Sequence, residues 1–396
     1  MPVDDATTGN ACGHSRSCVY FFSGSPFTRT DGCHIRALET LRVVAETYDR
    51  VWFQSFINHP LWPWTQAHIQ ELKNSHPNVT LELLQRGKTQ VLVTRLKNLL
   101  VRILPKQAGA ISKLTIANTA PDHIGADLFM NYADGFTQIP RTPSAARIFV
   151  DTHDVAHRAY AYEHGLPLDH PSVVARARKE WALTGLADDV IAISRSEADI
   201  FTAALPTKNI WLLPPIFDAQ PQSGAPHNEG LLFVGSANDK NLRGIKEFIE
   251  EASGWSQKPN LTVAGKVGSM FSSAFIASHA DFVRVQGYVA ELSDLYRNAT
   301  AALCPVRGTG LNIKILEALS FGVPVFADQI AIDALPLGYE GCVFPLTRAN
   351  IEQYLASSET RESARQAALT YVASDTFRAP WRMAIESMRS AALGER

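Results

Sequence analysis

Short apolar runs alternate with helix-periodic segments twice along this chain of 396 residues, and a proline-rich stretch separates the two series. The first series holds CVYFFSG (18–24), VWFQSF (51–56), VTLELL (79–84), RIFVDTHD (147–154) and DVIAIS (189–194). Between the first two lies HIRALETLRVVAE, with Ile35, Leu38, Leu41, Val44 and Ala45 near helical spacing. The second series holds LLFVGS (231–236), LTVAG (261–265), VRVQGYV (283–289), AALCPV (301–306) and PVFAD (324–328), with helices expected around 244–252, 271–280 and 291–299. Parallel strands need a crossover, usually a helix, so this alternation predicts two doubly wound parallel α/β sheets. The separator, LLPPIFDAQPQSGAPHNEG, carries four of the 22 prolines and reads as a hinge. Ligands of such sheets bind outside the carboxyl ends of the strands, so two facing domains predict one shared cleft.

Composition narrows the class. Hydrophobic residues make up 46% and the formal net charge is -2, which fits a globular chain and excludes a strongly basic nucleic-acid binder. The five cysteines form no CxxC pair, so a reducing cytosol is expected. Cys12, His14, Cys18, Cys33 and His34 crowd the start, but their spacing matches no usual zinc pattern. No metal is expected. The opening MPVDDATTGNACGHSRS has no apolar core of a signal peptide, and no run of about 18 apolar residues marks a membrane span. A cytoplasmic location follows as an expectation.

The stretch VRGTGLNIKILEALSFGVP (306–324) holds the main chemical signal. A strand ends, Gly308 and Gly310 open a turn, and a helix begins near Leu311 or Asn312. Free N–H groups at a helix start suit a phosphate. Glu317, about five residues into the helix, is a poor phosphate ligand but a good acceptor for vicinal hydroxyls such as those of ribose. Phosphate plus diol is a nucleotide. Arg307 and Lys314 could neutralise a diphosphate. The competing reading is a plain strand–helix connection with a surface Glu and Lys. Neither a G-x-x-x-x-G-K-[ST] nor a G-x-G-x-x-G motif occurs here.

The segment LEALSFGVPVF (316–326) resembles the donor site of the retaining family 4 (group 1) glycosyltransferases of GT-B fold. Further matches run in order: VDTHDV (150–155), DDVIAISRSEADIF (188–201), LLFVGSANDKNLRGIKEFIEEA (231–252), LTVAGKVG (261–268) and VRVQGYVAELSDLYRNATAALCPV (283–306). The resemblance implies two Rossmann-like, doubly wound domains facing across a cleft, with a C-terminal helix crossing back to the first. It divides the chain into a tail (1–17), an N-terminal acceptor domain (18–213), a hinge (214–229), a C-terminal nucleotide-sugar domain (230–375) and the crossing helix (376–396). It implies transfer of a sugar from a nucleoside diphosphate sugar to a hydroxyl acceptor, with retention and without a metal.

The resemblance also implies the site. Glu317 would hold the ribose, and the amides of Gly310, Leu311 and Asn312 with Arg307, Lys314 and Lys240 would hold the phosphates. Ser236, Gly265, Val289 and Thr309 complete the donor set. Two positions depart from the family: Ser236 replaces its Arg, and Thr309 replaces its first Glu. From the N-terminal domain, the loop SGSPFTRTDGCHIR (23–36) brings Gly32, with His34 and Arg36 as neighbours; the competing reading for each is helix-start packing or a solvated side chain. His153 ends an apolar strand and would contact the sugar or handle a proton. Lys240 and Arg307 join His153 as the catalytic set. The alternative for His153 is a capping cluster in which Asp151 and Asp154 start the next helix. Trp62 and Trp64 could stack on sugars, with core packing as the competing reading.

Residues 86–113 carry Arg86, Lys88, Arg95, Lys97, Arg102, Lys106 and Lys113 with no acidic residue. Leucines and other apolar residues lie among them. The segment reads either as a domain helix with a solvated basic face or as an anionic-membrane element suited to a lipid-linked acceptor. The other function classes this fold admits are a nucleotide-sugar epimerase or hydrolase and a non-catalytic nucleotide-sugar binding subunit.

Overall fold

The computed structural model describes residues 16–29, 31–114, 123–139, 144–220, 230–289, 291–306 and 310–390. The expected tail, apart from residues 16 and 17, lies outside the described residues, as do Cys12, His14, Arg307, Gly308, Thr309 and residues 221–229 of the hinge.

The first sheet comprises β1 (Ser17–Phe21), β2 (Arg50–Phe56), β3 (Val79–Leu84), β4 (Asp127–Asn131), β5 (Ile148–Asp151), β6 (Asp189–Ala192) and β7 (Asn209–Leu212). The second comprises β8 (Leu231–Val234), β9 (Leu261–Ala264), β10 (Val283–Gly287), β11 (Ala301–Cys304), β12 (Val325–Ala327) and β13 (Val343–Pro345). Their orders are β3-β2-β1-β4-β5-β6-β7 and β10-β9-β8-β11-β12-β13, and neighbouring strands pair in parallel. In each sheet the chain order reverses beside the first strand, between β1 and β4 and between β8 and β11. A crevice opens at such a reversal because the flanking crossovers leave on opposite faces.

The first sheet is covered on both faces, which is why its strands read as continuous apolar runs. Along β1 the pleat sends Cys18 and Tyr20 into one core, and Phe22 beyond the strand end follows them, while Val19 and Phe21 enter the other. Burial of a side chain as large as Phe21 or Tyr20 contributes about 1.5–3 kcal/mol each.

The last helix, Asp375–Ser390, packs its Trp381, Ala384 and Met388 into the core of the first sheet. Trp381 Nε1 donates to Pro214 O at 2.9 Å, so this helix holds the start of the proline-rich segment between the two sheets. The guanidinium of Arg36 lies 5.0 Å from the Trp381 ring. Arg36 is fully buried and donates to Asp151 Oδ2 at 2.8 Å and to Glu39 Oε2 at 3.1 Å. Glu39 Oε1 also accepts from the Ile216 N–H. Arg36 borders the cleft, but its charge is spent on two carboxylates, so it serves as a buried pin between helix Gly32–Thr47, β5 and, through Glu39, the Ile216 backbone. Burial pushes the Glu39 carboxyl up to about 7, against the pull of Arg36. Among the described residues, no helix is long and apolar enough to cross a membrane.

Candidate active site

Both crevices open into one cavity of about 460 Å³. Gly32 and His153 line it from the first sheet's side. Ser236, Lys240, Gly310, Leu311, Asn312, Lys314 and Glu317 line it from the second. Residues more than two hundred positions apart are thus brought together as the sequence expectation required.

The second-sheet wall is built around helix Ile313–Ser320, whose N-cap is Asn312. Gly310 has φ 86°, a left-handed conformation that glycine adopts without strain, and it turns the chain from the strand end into the helix. Apolar Ile315, Leu316, Ala318 and Leu319 anchor the helix in the core. That leaves Lys314 and Glu317, one turn apart, on the cleft side. Lys314 Nζ donates to Asn241 Oδ1 at 2.8 Å and lies 5.2 Å from the Phe233 ring. Burial lowers its pKa. Glu317 Oε2 accepts from Tyr296 Oη at 3.0 Å, and burial raises its pKa. Among the described residues Glu317 Oε1 has no hydrogen-bond partner, and Glu317 lines the cavity.

Asn241 was not expected. Its Nδ2 donates to Ser236 O at 2.9 Å while its Oδ1 takes Lys314, so it ties the loop after β8 to the helix start. Its N–H in turn donates to Asn238 Oδ1, the N-cap of helix Asp239–Ser253, at 2.8 Å. That helix begins five residues earlier than the expected 244, because its first turn is polar and periodicity does not register it. Leu311 contributes backbone only, since its side chain belongs to the core. Gly265 and Val289 are not among the residues that line the cavity. A Cβ on Gly265 would fall 2.3 Å from Gly235 O, so Gly265 underpins the Ser236 loop instead of facing a ligand. Val289, two residues beyond β10, is half-buried.

On the opposite wall, Gly32 opens helix Gly32–Thr47, and a Cβ there would lie 3.3 Å from Ile313 Cδ1 across the cleft. His34 is not a cleft group. It is fully buried, and its Nδ1 accepts from the Asp31 N–H at 3.2 Å, which places it in the cap of that helix. Burial lowers its pKa to about 4.

His153 follows β5 with φ 59°, and Tyr132 follows β4 with φ 62°. Their rings stack at 4.2 Å. His153 Nε2 lies 2.9 Å from Asn131 Oδ1, and Asn131 Nδ2 donates to Phe21 O at 3.0 Å. The amide orientation makes Oδ1 the acceptor, so Nε2 carries the proton and Nδ1 is an acceptor. Burial lowers the His153 pKa to about 4, against the pull of Asp151. Burial thus favours the neutral imidazole, with a proton on Nε2 and an acceptor at Nδ1. Asp151 and Asp154 do not cap the next helix. Helix Ala156–Glu163 takes Glu180 there, which accepts from Ala156 N at 2.8 Å and His157 N at 2.9 Å.

Two further carboxyls stand at the seam. A Cβ on Gly310 would lie 3.0 Å from Glu197 Oε1 and 3.7 Å from Asp154 Cβ. Burial pushes Glu197 up to about 8 and Asp154 up to about 6. Lys240 Nζ reaches across to 5.9 Å from the Tyr162 ring. Trp64 is buried core with Nε1 donating to Ser55 Oγ at 2.7 Å, whereas Trp62 lines a neighbouring pocket.

Residues 228–356 match the model of the family Glycosyl transferases group 1. Over that stretch the chain is similar to a group 1 glycosyltransferase domain. Among solved structures it is similar to HepE of Anabaena in complex with UDP, at 16% identity and TM-score 0.62 over 95% of this chain and 100% of that one. Sucrose-phosphate synthase of Thermosynechococcus elongatus gives 14% identity and TM-score 0.67 over 96% and 100%. WaaG, a glycosyltransferase involved in lipopolysaccharide biosynthesis, gives 14% and 0.57 over 93% and 98%. At these identities the likeness establishes the fold, GT-B. The family domain and this fold make the enzyme class glycosyltransferase. No curated protein matches the chain.

Proposed function

We propose that this glycosyltransferase moves a sugar from a nucleoside diphosphate sugar to a hydroxyl acceptor, with retention at the anomeric carbon. The observation that carries the reading is the start of helix Ile313–Ser320, which opens on a cleft bordered by Gly32, with Glu317 one turn further in. The ribose diol hydrogen-bonds to Glu317 Oε1, and Tyr296 keeps the carboxyl oriented. The diphosphate rests on the helix start, where the amides of Gly310, Leu311 and Asn312 meet Lys314 and Lys240. Arg307 belongs to the same set by its place in the sequence. Negative charge grows on the diphosphate as the glycosidic bond breaks, and donors already fixed there stabilise that charge without reorganisation. These basic groups supply the charge that a metal would otherwise supply. His153 Nδ1 accepts a hydrogen bond from a sugar hydroxyl. Closure about the hinge excludes water and prevents donor hydrolysis. The buried thiols of Cys18, Cys304 and Cys342 support a reducing, cytoplasmic location.

The test is nucleotide release from a panel of nucleoside diphosphate sugars, with and without sugar acceptors, followed by the anomeric configuration of the product. Acceptor-dependent release with retained configuration is expected. Donor consumption that ignores the acceptor would point to the epimerase or hydrolase class, and binding without turnover to a non-catalytic subunit.

A specific observation favours the membrane reading of residues 86–113. On helix Lys88–Ile103 the residues Leu92, Leu96, Leu99 and Ile103 recur at spacings of four, three and four, and all are exposed. The helix buries Val93, Thr94, Lys97 and Val101 instead. Arg95 and Arg102 border one edge of the outward apolar stripe, where basic side chains can meet an anionic bilayer. Lys97 does not contribute, because its Nζ is buried against Ser112 O at 2.8 Å.

A further inference from the structure

A second pocket, of about 390 Å³, lies in the N-terminal domain and meets the donor cleft at Tyr132 and Asp154, which border both. Its wall carries Arg86, Arg102 and Arg176. None of these guanidiniums has a carboxylate partner among the described residues. Arg86 lies 5.7 Å from the Phe56 ring and Arg176 lies 3.8 Å from the Tyr160 ring, so aromatic faces hold them in place without neutralising them. The acidic groups of the same wall are engaged elsewhere. Asp134 Oδ2 accepts from Lys179 Nζ at 2.8 Å. Glu180 takes the backbone of Ala156 and His157 and lies 2.7 Å from His157 Nδ1. The remaining carboxyl, Asp154, stands where the pocket joins the cleft, and burial disfavours its charged form.

We propose that this pocket binds the acceptor through an anionic group of the phosphate class, held by Arg86, Arg102 and Arg176. Guanidinium forks match phosphate oxygens in pairs, and three of them on one pocket wall without carboxylate partners form a site that a neutral sugar would leave unsatisfied. The assignment rests on the glycosyltransferase reading above, and it names the chemistry of the second substrate. Arg102 lies on the same helix as the exposed Leu99 and Ile103. The phosphate can therefore belong to a soluble sugar phosphate or to a lipid-linked one.

The test titrates the full chain, with its nucleotide at saturation, with glucose, glucose 6-phosphate and farnesyl diphosphate by calorimetry. Both phosphate probes should bind at least about tenfold more tightly than glucose, the factor of one charge-assisted hydrogen bond. That preference should vanish in R86Q/R102Q/R176Q and survive in R86K/R176K, which keeps the charge and guards against a folding defect. Tighter binding of farnesyl diphosphate than of glucose 6-phosphate would assign the group to a lipid carrier, and the reverse to a soluble acceptor. Equal binding of glucose and the phosphate probes, or a preference unchanged in R86Q/R102Q/R176Q, would overturn the proposal. Nucleotide binding is measured separately on the same variants. Its absence in the wild type would count against the donor reading and leave the phosphate result to be judged alone.

Discussion

Tyr132 and His153 stack ring on ring at 4.2 Å, and both hold left-handed backbone conformations, with φ of 62° and 59°. Such conformations cost side-chain-bearing residues about 1–3 kcal/mol and persist only where the surroundings enforce them. Here adjacent ends of β4 and β5 enforce them, with Asn131 bridging His153 to Phe21. Tyr132 borders both the cleft and the arginine-lined pocket, and His153 lines the cleft. Tyr132→Ala should therefore lower kcat of transfer about tenfold, because His153 loses its platform, while nucleotide affinity stays unchanged. Steady-state kinetics with a nucleotide titration checks it. An equal fall in nucleotide affinity would assign Tyr132 a merely structural role.

Gly310→Ala should impair both folding and donor binding. The left-handed φ alone costs about 1–2 kcal/mol for a residue with a Cβ. The added methyl would also meet Glu197 Oε1 at 3.0 Å. Chemical denaturation should show the loss of stability, and calorimetry the weaker nucleotide binding.

Stability should fall as pH rises from about 6.5 to about 8. Glu197 goes from 4.5 to about 8 on folding and Glu39 from 4.5 to about 7, so the folded state holds protons that the unfolded chain has released. Their contribution is fully present below the unfolded value and is lost through the folded one. His34 and His153, lowered from 6.5 to about 4, act oppositely, but only below 6.5. Asp154, raised to about 6, has finished titrating near there. Glu197→Gln should flatten the fall between pH 7 and 8 in thermal melts, and an unchanged slope would show that the carboxyl at this seam is already ionised.

Leu96→Glu together with Leu99→Glu should abolish cosedimentation with anionic vesicles at low salt while leaving the melting temperature within a few degrees, because both side chains are about half exposed. Binding that survives the pair would place the membrane contact elsewhere.

Much of the fold was legible in the sequence because strands buried on both faces announce themselves as apolar runs. Three strands escaped. β4, DLFMN, sits in the middle of its sheet yet has no β-branched residue and is bounded by Asp127 and Asn131, both disfavoured in strands, so only Phe129 signals it. β7, NIWL, and β13, VFP, are short edge strands, and Pro345 is tolerated at an edge because its missing N–H faces no partner. At the site, Gly310, Lys314 and Glu317 were legible because one helix start fixes their relation. Asn241, Tyr296 and Glu197 were not, because their roles arise only when distant elements meet. For His34 and Arg36 the sequence left two readings open, and it could not choose between them because the partners that decide, the helix cap for His34 and Asp151 with Glu39 for Arg36, are tertiary facts.

The central claim is a nucleotide seated on helix Ile313–Ser320 with Glu317 on its ribose. Thermal unfolding of the wild type and Glu317→Ala with UDP, GDP, CMP, dTDP and ADP tests it most directly. Ligand at about 100 times its dissociation constant should add ~2.7 kcal/mol of stability. The account predicts such a rise with one nucleotide in the wild type and its loss in Glu317→Ala. A rise that survives the substitution, or no rise with any nucleotide, would contradict it.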